Sequence, residues 1–111
     1  MSEFRLSREA DINMTHLVGY VTAVPARLVE VFGEPTKGDY KVSGEYTFVR
    51  EADGGVVTLY DWKATTLFEE EAFRTPGMLW SSREPFEFHV GARDHDSGFS
   101  EWLEEQLKED E

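Results

Sequence analysis

The run Gly38-Asp39-Tyr40-Lys41-Val42-Ser43-Gly44-Glu45-Tyr46-Thr47-Phe48-Val49-Arg50-Glu51-Ala52-Asp53-Gly54-Gly55-Val56-Val57-Thr58-Leu59-Tyr60-Asp61-Trp62-Lys63 decides the fold. Tyr40, Val42, Gly44, Tyr46 and Phe48 alternate with Lys41, Ser43, Glu45 and Thr47. After Asp53-Gly54-Gly55, Val56, Thr58, Tyr60 and Trp62 alternate with Val57, Leu59, Asp61 and Lys63. A period of two sends successive side chains to opposite faces of a sheet, and an Asp-Gly pair between two such runs signals a tight hairpin. The stretch therefore predicts two antiparallel strands.

Before the hairpin, His16-Leu17-Val18-Gly19-Tyr20-Val21-Thr22 is rich in strand formers and predicts the first strand. Pro25 suits a first helical turn, where its missing N–H costs nothing. Val24, Leu28, Val31 and Phe32 recur at helical spacing up to Gly33 and Pro35, which stop the helix. Residues 1–13 read as a loose arm or a short edge strand. After the hairpin, Phe86, Phe88 and Val90 alternate with Glu87, His89 and Gly91, a fourth strand. Phe99, Trp102, Leu103 and Leu107 follow as an amphipathic helix, with N-cap candidates at Asp96 and Ser97 and a frayed acidic tail over 108–111. The expectation is one α+β domain over residues 1–111, in the order β-α-β-β-β-α. Its antiparallel four-stranded sheet carries two helices on one face.

Composition narrows the function classes. The 111 residues suffice to bury roughly 65% of the unfolded surface in one modest core. There are no cysteines, which excludes disulfides and thiolate metal sites. No apolar run reaches the ~20 residues of a membrane span, and the N-terminus has no apolar signal core, so a protein of the cytoplasm is expected. The net charge is −12. Residues 1–50 hold seven acids and six bases, a balance of −1, whereas 51–111 hold sixteen acids and five bases, a balance of −11. Such a field repels nucleic acid and anionic lipid and attracts basic protein surfaces, although solubility alone is a sufficient reason for acidity.

Candidate chemistry is sparse. Asp94-His95-Asp96 offers oxygen and nitrogen donors for a divalent metal, but adjacent residues rarely ligate one ion together, and a polar loop before the last helix is the plainer reading. No serine or threonine sits in a nucleophile motif. His89 near Asp61 and Lys63 would suit a general base, yet nothing in the spacing makes the three converge. Neither a catalytic set nor a cofactor is predicted. Tyr60 and Trp62 on one strand face read first as core beneath two helices. Alternatively they line a pocket with His89 that holds a small molecule.

A contact surface is expected over 65–80, where Phe68, Phe73, Leu79 and Trp80 occupy a long connection, and long connections are often functional. The competing reading folds these aromatics back on the domain, or forms a further short helix from Glu69 to Phe73. The last helix adds Glu101, Glu104 and Glu105. Acids near a helix C-terminus oppose the macrodipole, a cost that hints at a use for the acidic face, although a frayed and solvated end is the simpler account.

Four motifs carry a resemblance: Val31-Phe32-Gly33-Glu34-Pro35-Thr36; Asp39-Tyr40-Lys41-Val42 through Glu45-Tyr46; Thr58-Leu59-Tyr60-Asp61-Trp62-Lys63; and Phe88-His89-Val90-Gly91. In their order and spacing, across residues 17–92, the chain resembles small acidic phage-encoded accessory proteins. The resemblance implies an accessory gene product of a phage, at work in the host cytoplasm, and transfers no functional residue. A non-enzymatic protein that binds and modulates a basic host protein is the leading expectation, without direct contact to nucleic acid or membrane. A DNA mimic, with its carboxylates in place of phosphates, and a small-molecule pocket are the rivals. An open sheet edge or the 65–80 segment offers a route to a homodimer.

Overall fold

The computed structural model describes residues 3–8, 15–37, 42–62, 75–93 and 98–108. The described elements are β1 (Phe4–Leu6), β2 (His16–Ala23), α1 (Pro25–Phe32), β3 (Glu45–Arg50), β4 (Val56–Tyr60), α2 (Pro76–Trp80), β5 (Phe86–Ala92) and α3 (Phe99–Leu107). The five strands form one sheet in the order β1-β3-β4-β5-β2, with every neighbouring pair antiparallel. The α+β class agrees with the sequence reading. Among the described residues the count differs: β1, the short edge strand that residues 1–13 allowed, and α2 raise four strands and two helices to five and three. Among the described residues no helix is long and apolar enough to cross a membrane.

β1 exists because residues 4–6 pair with residues 48–50 and so turn part of the N-terminal segment into an edge strand. α1 starts with Pro25 in its first turn and ends at Gly33, whose φ of 85° favours glycine. The β3–β4 turn is closed by Arg50 N–H donating to the Gly55 carbonyl at 2.7 Å and by Gly54 N–H donating to the Arg50 carbonyl at 2.8 Å. Gly54 again takes a positive φ, 75°, which makes the Asp-Gly signal physical.

The first hairpin strand begins later than predicted. Residues 38–41 lie outside the described ones, and Ser43 and Gly44 are not in a strand. Their backbone N–H groups donate to the Asp61 carboxylate at 2.8 and 3.0 Å instead of to a neighbouring strand. A side-chain acceptor from the end of the far strand of the hairpin has taken the place of the ladder.

One face of the sheet carries the core. Tyr46 and Phe48 of β3, Val57 and Leu59 of β4, and Phe88 and Val90 of β5 are buried with Leu28 of α1, Leu79 and Trp80 of α2, and Phe99 and Leu103 of α3. All three helices therefore cover the same face. Phe4 packs edge-on against Phe99, with centroids 5.3 Å apart, and seats α3 over β1 and β3. α1 and α3 run antiparallel: Phe32 stacks on Trp102 at 6.0 Å, while Arg27 reaches the far end of α3. There its guanidinium donates to the carbonyls of Leu107 at 2.9 Å and Lys108 at 2.8 Å. A cation thus caps the helix end that the sequence left without a base in its last turn. Asp96 and Ser97, the predicted caps, lie outside the described residues, and Gly98 takes the N-cap position.

Candidate functional site

The opposite face of the sheet bears an aromatic row. Register fixes it: Tyr20 of β2 is opposite His89 of β5, His89 is opposite Tyr60 of β4, and Tyr60 is opposite Glu45 of β3. Directly opposed residues project to the same face and touch across the strands. The Tyr20 and His89 rings meet edge-on at 5.0 Å, and those of Tyr60 and His89 lie at 5.7 Å. Trp62, two residues past Tyr60, lies edge-on to Tyr60 at 6.3 Å and within 24° of parallel to His89 at 6.2 Å. Tyr20 is 53% exposed and Trp62 42%. Leu17 of β2 is exposed as well.

Two carboxylates border the row. Glu45 stands at its β3 end, and exposed Glu87 is two residues from His89 on the same side of β5. Burial pushes the Tyr60 hydroxyl above the usual phenol range, and the Glu45 carboxylate and Tyr20 add to the shift. Tyr60 is accordingly a neutral donor at neutral pH. Negative ring faces beside carboxylates, with apolar area at hand, suit a cationic side chain such as Arg or Lys.

Tyr60, Trp62 and His89 are thus brought together, but away from the core that Tyr60 and Trp62 were expected to fill. β4 is apolar in both phases, so its facing is set by register with β3. Tyr46 pairs with Leu59 and Phe48 with Val57, which turns Val57 and Leu59 toward the helices and Tyr60 outward. A slip of one residue would have reversed this. Tyr20, missed by sequence reasoning, joins the row only through pairing between distant segments. Strand propensity at 16–22 gave no sign of its neighbours.

Asp61 does not meet His89. It is fully buried on the core side and accepts from Ser43 N–H, Ser43 Oγ–H and Gly44 N–H. Trp80 Nε1–H donates to the same Ser43 hydroxyl at 3.0 Å. Burial pushes the Asp61 carboxyl up, and the three hydrogen bonds oppose that shift. This network ties α2 to the end of β4. It is a structural clasp, and the general-base grouping of His89 with Asp61 is overturned. Lys63 lies outside the described residues.

The predicted contact surface divides. Leu79 is fully buried and Trp80 is 9% exposed, because residues 76–80 form a helix whose Thr75 hydroxyl accepts from Met78 N–H and caps it. Both residues belong to the core. Phe68, Phe73 and the Asp94-His95-Asp96 metal candidate lie outside the described residues. Glu101, Glu104 and Glu105 are exposed on α3, where Glu105 pairs with Lys108 at 2.8 Å. No protein-family model matches this sequence, and no curated protein matches it.

Proposed function

We propose that the protein is a non-enzymatic, phage-encoded accessory protein that binds a basic host protein in the host cytoplasm through the aromatic row. The single observation that carries the binding mode is the exposure of Tyr20 and Trp62 on the sheet face opposite the three described helices. Large exposed aromatics bordered by polar groups mark interaction surfaces more often than chance patches do. The net charge of −12 adds long-range attraction for a cationic partner. The phage origin rests on the motif resemblance.

Affinity capture from the bacterial host's lysate, at low and high salt, tests this reading. The wild-type chain should retain a stoichiometric basic protein, and Tyr20→Ser/Trp62→Ser should lose it. Capture of no partner, or of one held equally by the double variant, overturns it. Loss of capture by salt alone, with the row variants unchanged, points instead to the acidic DNA-mimic reading.

A second reading draws on the near-parallel rings of Trp62 and His89. A planar small molecule stacked beside them would be sequestered there. A metabolite panel that raises Tm for wild type but not for Trp62→Ser supports it, and a panel that shifts neither excludes it.

A further inference from the structure

β2 is the outer strand at one edge of the sheet. A hollow of about 580 Å³ runs between residues 20–24 and one face of α3, from Ser100 to the C-cap Lys108. Residues 20 and 22 send their side chains to the opposite sheet face from 21 and 23. A hollow lined by all of them in succession is therefore bordered by the strand's outer backbone edge. Its other wall is apolar at Leu103 and Leu107 and carries Ser100, the exposed carboxylate of Glu104 and two cations that are already engaged, Arg27 on the carbonyls of Leu107 and Lys108, and Lys108 on Glu105. Residues 16–23 bring no charge to that edge except through His16.

We propose that this hollow takes an extended segment of a partner protein as a sixth strand beside β2, with apolar residues at alternate positions facing Leu103 and Leu107 and a lysine or arginine meeting Glu104. Strand addition to an open edge draws affinity from main-chain hydrogen bonds and specificity from the pockets for alternate side chains. Charge selects the occupant. A second copy joined through β2 would bring two chains of −12 together, with Glu104 of each α3 beside the join. A basic segment meets the opposite field. The alternate side chains of the incoming strand that face away from α3 would lie beside Tyr20 and lengthen the aromatic row.

This inference rests on the reading of the protein as a protein-binding module, but it is tested separately. The probe is a short synthetic peptide alternating valine and lysine, titrated into the intact chain and followed by NMR. Backbone amide shifts at residues 20–24 and 100–108 are expected. A peptide with alternate amides N-methylated should bind about tenfold more weakly, the equivalent of one or two lost main-chain hydrogen bonds. One alternating valine and glutamate should not bind. Ser100→Trp, which fills the hollow without touching the row, should abolish binding, and Glu104→Lys should weaken it. Trp62→Ser, on the row but outside the hollow, should leave it unchanged. Absence of binding, shifts confined to the row, or indifference to N-methylation overturns the proposal. So does a concentration-dependent dimer that shifts the β2 amides without peptide. If these tests fail while host capture still depends on Trp62, strand addition falls and the aromatic row stands.

Discussion

Ser43 donates both its backbone N–H and its hydroxyl to Asp61, at 2.8 and 2.7 Å, one to each carboxylate oxygen. The carboxylate is fully buried and its acceptor capacity organises the turn into β3. Removing it would leave donors of Ser43 and Gly44 without partners inside the protein. Asp61→Ala should therefore cost about 2–4 kcal/mol, the penalty for orphaning buried donors. Asp61→Asn keeps one oxygen for the two N–H groups and should cost clearly less. Urea unfolding of the two variants beside wild type checks this ordering.

The same carboxyl gives a pH dependence of definite sign. Burial raises its pKa in the folded chain above the ordinary 3.8. Between the two values the folded state holds a proton that the unfolded state releases. Its contribution to stability is fully present below the unfolded value, declines as pH rises through the folded value, and is then flat. The stability of wild type minus that of Asp61→Asn should accordingly fall with rising pH across this window. Denaturant melts of both chains between acid and neutral pH measure the difference, from which the other carboxylates cancel.

Gly44 lies where a side chain has no room. A Cβ there would come within 2.7 Å of the Trp80 indole and 2.8 Å of the Pro35 ring. Neither is the free end of a flexible chain. Gly44→Ala should destabilise by about 1–3 kcal/mol through overpacking, and should redden Trp80 fluorescence as the indole shifts. A melt with a fluorescence readout tests both.

Arg27 is part-buried and holds the carbonyls of Leu107, the last residue of α3, and of Lys108, its C-cap. Arg27→Met preserves much of the apolar stem and removes the cap. The loss should be about 1–2 kcal/mol, and amide exchange should quicken over residues 105–108 before it does elsewhere. Uniform quickening across the sheet would show that Arg27 acts on the whole fold instead.

Tyr20 contributes little to the core. Tyr20→Ser should change stability by about 1 kcal/mol or less, chiefly through its contact with His89, while it reduces partner capture. Thermal melts paired with capture separate these effects. A large loss of stability would assign the row a structural role.

The hairpin was legible because its signals are local: alternation, Asp53-Gly54, and strand formers on both sides. α1 was equally legible from Pro25, Gly33 and the spacing between them. Three features were not. Ser43 and Gly44 fit the strand period, but the acceptor that diverts them is 17 or 18 residues away at Asp61. Val56-Val57-Thr58-Leu59-Tyr60 would bury either face, so only its pairing with β3 decides that Tyr60 points outward. α2 was concealed by its length of five residues, too short for any periodicity to register. The candidate site followed the same rule. Tyr60, Trp62 and His89 were noticed one by one, whereas their convergence with Tyr20 is a property of register.

Crowding the three described helices onto a single side of the sheet separates two evolutionary pressures. Substitutions on the opposite side leave the packed interior alone, and repacking of the interior leaves that side's chemistry alone. Were that side a recognition surface, a lineage could rewrite Tyr20, Thr22, Glu87 and Trp62 at little cost to folding, and sequences of common descent would diverge soonest at those positions.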